Sequence, residues 1–284
     1  MKEFYSANEG MKTRRNPGRS IAVGSTNVRY GKDDNARKLF DDVIQEKDKK
    51  QLKKKAKILI DALEKNSENN GFFKLDEGIE INVGAGSDNG PKIKIDDVNI
   101  YKLFFELYST IKNNNPEMRD GVIHKIAVER TINAYFGEFK GDVNLRKTLT
   151  ESKFDLDKFI EDPNYKQEIP SISKLQGKNC AMCVERASVA HNLWLLGGYE
   201  SYYIDASSIE LADCDDKAHA YCMVNYNGTF KLFDCSMGIY HRFEESINPV
   251  EDILNGEPLV IDHSGKQYIY ANAYALENTH TTTK

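Results

Sequence analysis

The sequence predicts an α+β fold in which a mainly helical N-terminal region precedes a helix packed on an antiparallel sheet. Three observations predict it. Apolar residues recur at helical spacing through most of Asp34 to Phe136, an apolar helix pattern opens at Cys183 and stops at Gly197-Gly198, and strand-like runs follow, two of them joined at Asn227-Gly228. With 284 residues and 40% apolar content, the chain can fill one large or two small domains.

Residues 1 to 33 are rich in Ser, Asn, Gly and Arg without apolar periodicity, so they read as a polar leader free to move. From Asp34 to Lys65 the pattern is helical, with Leu52, Ala56, Leu59 and Leu63 in one stripe. Seven lysines lie between Lys47 and Lys57, opposed only by Asp48, and occupy the other sides of this helix. Their simplest role is to solvate it; a surface for an anionic partner is the sharper alternative. Two strands are expected within Gly71 to Ile95, in GIEINV and KIKI. The glycines between them lack the Gly-Lys-Ser/Thr ending of a phosphate loop. Asp96-Asp97 can cap a helix running to about Lys112, which Asn113-Asn114-Asn115-Pro116 ends. This cluster is the expected boundary between an N-terminal region, 34–112, and a second domain, 113–275. A further helix covers about Glu117 to Phe136, with His124 expected at its surface. After a polar stretch interrupted by Pro163 and Pro170, the expected elements are a helix over Cys183 to Leu196 and strands over Tyr199 to Asp205, Ala218 to Tyr226 and Thr229 to Asp234. Two more strands follow at Pro258 to Asp262 and Gln267 to Tyr270, before a polar tail, 276–284.

Composition narrows the function classes. A net charge of −5 does not favour nucleic acid, and no apolar run is long enough to span a membrane. The first twenty residues hold no apolar segment of the secretory type, so a cytoplasmic protein is expected, with delivery into another cell's cytosol equally compatible. The five cysteines fall between Cys180 and Cys235 and are expected as free thiols.

Cys183 draws attention because a thiol in the first turn of a helix meets unpaired backbone N–H groups and the positive end of the dipole, both of which favour thiolate. A small buried core residue is the plainer alternative. The Asn227-Gly228 hairpin adds a second element. A two-residue turn there pairs Tyr226 with Thr229, hence Tyr221 with Asp234 and His219 with Ser236. His219 then lies diagonal to Asp234 on one face of the ribbon, where a carboxylate can fix the imidazole tautomer and stabilise the imidazolium.

Together the helix and hairpin resemble the transglutaminase-like superfamily of papain-like folds. The matching residues are Cys183-Val-Glu-Arg-Ala187, Leu195-Leu196-Gly197-Gly198-Tyr199, His219-Ala220-Tyr221 and Phe233-Asp234-Cys235-Ser236. The resemblance covers about Leu175 to Gly238. It departs from the family at Tyr221, where tryptophan is usual, and at Cys235, where proline is common. It implies a Cys183, His219, Asp234 catalytic triad acting on amide bonds of a peptide or protein substrate through an acyl-enzyme, with no cofactor or metal. Hydrolysis would make the protein a cysteine peptidase or glutamine deamidase, and transfer to an amine would make it an acyltransferase. Family spacing, counted back from Gly198, selects Cys183 over Cys180. Gln176 is a candidate oxyanion donor, with an ordinary loop glutamine as the alternative. His191, two turns along the helix, is too far to serve as base and is expected to face the surface or a partner. Two other classes compete. Cys180, Cys183, Cys214 and His219 could form a Cys3His zinc site, and the fold could serve as a non-catalytic binding module.

Overall fold

The computed structural model describes residues 12–16, 19–23, 34–65, 79–82, 92–138, 142–151, 160–162, 169–211, 214–226, 228–235, 246–247, 259–263 and 266–271. Side chains are described for a smaller set, which leaves out, among others, those of 12–23, 204–219 and 246–271. The fold is α+β. Along the chain run β1 (Lys12–Asn16), β2 (Arg19–Val23), α1 (Asp34–Ile44), α2 (Lys49–Lys65), β3 (Ile79–Asn82), β4 (Lys92–Ile95), α3 (Asn99–Asn114), α4 (Asp120–Phe136) and α5 (Val143–Thr150). A 3-10 turn at Ile172–Leu175 precedes α6 (Cys183–Leu196), which is followed by β5 (Ser201–Leu211), β6 (Cys214–Tyr226), β7 (Thr229–Phe233), β8 (Ser246–Ile247), β9 (Leu259–His263) and β10 (Lys266–Ala271). None of the described helices is long and apolar enough to cross a membrane.

Several elements follow from local chemistry. The helical pattern over 34–65 is divided in two, because Asp48 accepts hydrogen bonds from Lys50 N (3.0 Å) and Gln51 N (2.8 Å) and so caps a new helix. The single acid in the lysine run is thus the start signal of α2. Leu52, Ala56 and Leu59 are buried as their spacing requires, while Lys50, Lys53, Lys54 and Lys57 are exposed. Asp97 accepts from Asn99 N (2.9 Å) at the head of α3, and its second oxygen takes the hydroxyl of Tyr135 on α4. Helix α5 falls in the stretch read as merely polar; its cap is Asp142, which accepts from Leu145 N at 2.8 Å. Residues 12–16 and 19–23 lie in the stretch expected to be a polar leader, yet β1 and β2 pair antiparallel from Lys12↔Val23 to Asn16↔Arg19, and β2 lies against β5.

Six antiparallel strands form the main sheet in the order β8-β7-β6-β5-β10-β9. The β6–β7 register is Cys222↔Phe233, Met223↔Leu232, Val224↔Lys231, Asn225↔Phe230 and Tyr226↔Thr229, as the Asn-Gly turn predicts. Gly228 has φ +83°, the left-handed conformation that this turn demands. Helix α6 lies on one face of this sheet: Cys222 Sγ donates to Ala187 O (3.2 Å), and the Trp194 and Phe233 rings meet edge to face at 5.3 Å. Helix α4 packs on α6. All fourteen residues of α6 are buried, Glu185, Arg186, Ser188, His191 and Asn192 among them.

Two histidines expected at the surface lie inside. His124 is 1% exposed, caged by Phe104, Tyr108, Trp194 and Tyr199, and hydrogen-bonds Leu193 O through Nε2 at 2.8 Å. The carbonyl can only accept, so Nε2 carries the proton. His191 is fully buried, with Nδ1 3.0 Å from Ser201 Oγ. In both cases a polar partner on another element makes burial tolerable, and that partner cannot be seen in helix periodicity.

Candidate active site

The chain between the 3-10 turn and α6 hangs from the end of α4. Gly177 N donates to Tyr135 O (2.8 Å) and Asn179 N to Phe136 O (2.9 Å), so the loop satisfies carbonyls that the helix terminus leaves open. Close approach requires a glycine at position 137: φ is +79°, and a Cβ there would come 1.9 Å from Asn179 Oδ1. Arg186, 1% exposed, completes the attachment. Its Nε donates to Ala181 O (2.9 Å), Nη2 to Gly137 O (2.6 Å) and Nη1 to Asn133 Oδ1 (3.3 Å), and its guanidinium lies over the Phe136 ring. Met182 is extended at the N-cap (φ −94°, ψ −167°), and its N–H donates to Glu185 Oε2 at 2.9 Å. Glu185 is fully buried, and its other oxygen is held by Arg146 of α5, at 2.8 Å from Nε and 2.6 Å from Nη2.

Cys183 is therefore the first residue of a buried helix whose entry is fixed from three directions. Among the four cysteines with described side chains, all free thiols, Cys183 is the most exposed at 9%, against 1% for Cys180, 0% for Cys222 and 3% for Cys235. Burial pushes the other three thiols up from their ordinary range, with Glu185 adding to the effect at Cys180 and Asp234 adding to it at Cys235. Those three are held as neutral thiols.

Asp234 directly follows β7 and is buried at 3% exposure. Its carboxylate lies near enough to Tyr221 to raise that phenol further than burial alone does. Position 219 pairs with Ala206 in the β5–β6 ladder, next to the bulge between Ala206 and Ile209. It has the strand parity of Tyr221, whereas Ala220 and Cys222 have the parity that meets α6. The Asp234 charge reaches Tyr221, Cys222 and Cys235, on both strand parities, and Cys235 is in turn affected by Cys183. The His219 side chain, which would link Asp234 and Cys183, lies outside the described residues, as does that of Cys214. No group of three or more metal-ligating side chains gathers among the described residues. Gln176 is exposed where the 3-10 turn ends.

Comparison of the sequence with protein-family models and with curated proteins finds no match.

Sequence reasoning left Arg146, Glu185, Arg186 and Gly137 unassigned. Glu185 carries a local signal, an acid at the third position of a helix reaching back to the N-cap N–H. Arg146 carries none, since its partner is 39 residues away.

Proposed function

We propose that the chain is a cysteine-nucleophile enzyme that acts on amide bonds of peptides or proteins, built on a transglutaminase-like, papain-like core. The observation that carries this reading is the placement of Cys183 at the head of a buried helix laid on β6, which bears His219, and β7, which Asp234 directly follows. Cys183 supplies the Sγ that attacks the carbonyl carbon. His219 takes the thiol proton and passes it to the nitrogen of the departing amine, and Asp234 orients the imidazole and balances its positive charge. Backbone N–H groups in the first turn of α6 are suited to the developing oxyanion. The thioester so formed is opened by water, regenerating the thiol, or by an amine, forming a new amide.

The reading is tested with a panel of peptides and glutamine-containing proteins, with and without an added primary amine, by following ammonia or amine release. Cys183→Ala and His219→Ala should each lose activity by about 10³-fold or more while remaining folded. Cys180→Ser should be mild, because that thiol is buried before the helix begins. A folded Cys183→Ala protein with undiminished turnover, or an inactive Cys180→Ser protein beside an active Cys183→Ala one, would overturn the assignment.

A further inference from the structure

The nucleophile proposed above has a buried charge for a neighbour. Glu185 stands two residues after Cys183 and is fully buried, and one of its oxygens is bound to the N–H of Met182, the residue immediately before Cys183. An ionised carboxylate so placed opposes a thiolate. What offsets it comes from another element. Arg146 sits on α5, whose first turn is capped by Asp142, and it grips the remaining Glu185 oxygen through both Nε and Nη2. Its side chain is 11% exposed, so the pair is largely shielded from water.

Resting on the reading of Cys183 as the nucleophile, we infer that Arg146 is a positioning residue for catalysis: by neutralising Glu185 it keeps the N-cap bond to Met182 without leaving net negative charge beside the reactive thiol. The two functions of Glu185 are separable on chemical grounds. A neutral amide oxygen could accept the Met182 N–H as well, but only the carboxylate bears the charge that Arg146 must cancel. Cys180, three residues before Cys183, feels both partners. After burial, Glu185 and then Asp142 raise it, and Arg146 pulls the other way.

The experiment measures iodoacetamide alkylation of Cys183 at pH 7, read site by site by mass spectrometry, in the full chain and in Arg146→Met, Glu185→Gln and the double variant, each checked for folding by circular dichroism. Arg146→Met should slow alkylation at least about tenfold. Glu185→Gln should react at least as fast as the parent, and the double variant should return to within about threefold of it. A purely structural pair makes the two single variants move together. If both single variants slow by a similar factor, or if folded Arg146→Met reacts like the parent, the inference falls. Should Arg146→Met fail to fold, the signs for Glu185→Gln and the double variant decide alone. These are relative rates at one thiol, so their failure is distinct from failure of the enzymatic reading, which is signalled by full turnover in Cys183→Ala.

Discussion

At the scale of single residues, charge and burial make separable demands on His124 and Asp234. Burial lowers the His124 pKa from 6.5 to about 3, with the hydrogen bond to Leu193 O acting weakly in the other direction. The folded state therefore holds the ring neutral, and its contribution is present above the unfolded value near pH 6.5 and lost as pH falls below it. Stability should drop by roughly 1.4 kcal/mol per pH unit from this group alone between pH 6.5 and about 4. Urea unfolding at pH 7.5 and pH 5 checks this: the parent should lose about 2 kcal/mol more than His124→Phe, which fills the aromatic cage without a titrating group. Equal losses in both proteins would assign the acid sensitivity elsewhere. Asp234 makes the complementary case. As the proposed orienter of His219, Asp234→Asn keeps shape but removes charge, so turnover should fall about 10²-fold or more with little change in Tm. A plain structural contact predicts an early melt with unaltered turnover per folded molecule, and both quantities are measured on the same samples.

At the scale of elements, the features legible in the sequence are those fixed by neighbours along the chain. Asn227-Gly228 dictates a two-residue turn, and the turn dictates the β6–β7 register one pair at a time. Gly197-Gly198 ends α6, and Asp96-Asp97 heads α3, because caps act within a few residues. The Asp142 cap of α5 is equally local, three residues from the N–H that it accepts. What periodicity could not supply was any partner brought by the fold: Leu193 O for His124, Ser201 for His191, Arg146 for Glu185. Glycines show the same division. At Gly228, φ +83°, a Cβ would meet no atom within 4 Å among the described residues beyond its chain neighbours, so Gly228→Ala should cost about 1 kcal/mol of backbone strain and little else. Gly137 adds to a similar φ a collision with Asn179. Gly137→Ala should therefore cost clearly more, about 2 kcal/mol or above, and slow Cys183 alkylation by displacing the loop before α6. Adding Asn179→Gly, which removes the side chain and tolerates the φ of +56° at position 179, should recover the steric part only. Denaturation midpoints of the three variants give the comparison, and equal costs at positions 137 and 228 would mean the loop yields freely.

Across the whole molecule, the question is whether the helices before the Asn113–Pro116 cluster stand apart from the site. Their buried side chains do not separate. Phe40, Val43, Leu52 and Leu59 of α1 and α2, Phe104 and Phe105 of α3, Ile123 and Ile132 of α4, and Val184, Leu193 and Trp194 of α6 belong to one apolar core. The link is direct at His124, whose ring meets Phe104 and Tyr108 on one side and Trp194 on the other. Lys112 and Asp120 form an ion pair across the cluster itself. A fragment from Glu117 to Lys284 would strip α3 from α4 and open the cage around His124 where Phe104 and Tyr108 now lie, and each apolar side chain left uncovered forfeits about 1.5 to 3 kcal/mol. Their combined loss is comparable with the whole stability of a typical domain, about 5 to 15 kcal/mol. The fragment should therefore bind ANS, lack a cooperative thermal transition and show Cys183 alkylation no faster than an unfolded thiol. The alternative is an N-terminal region that only recruits or gates substrate. It predicts a fragment that melts cooperatively and alkylates at the rate of the full chain. Measuring the melting transition and the Cys183 rate together separates the outcomes, because α4 supplies the carbonyls and the Gly137 seat on which the nucleophile's loop depends. If α4 loses its support from α3, the position of Cys183 should go with it.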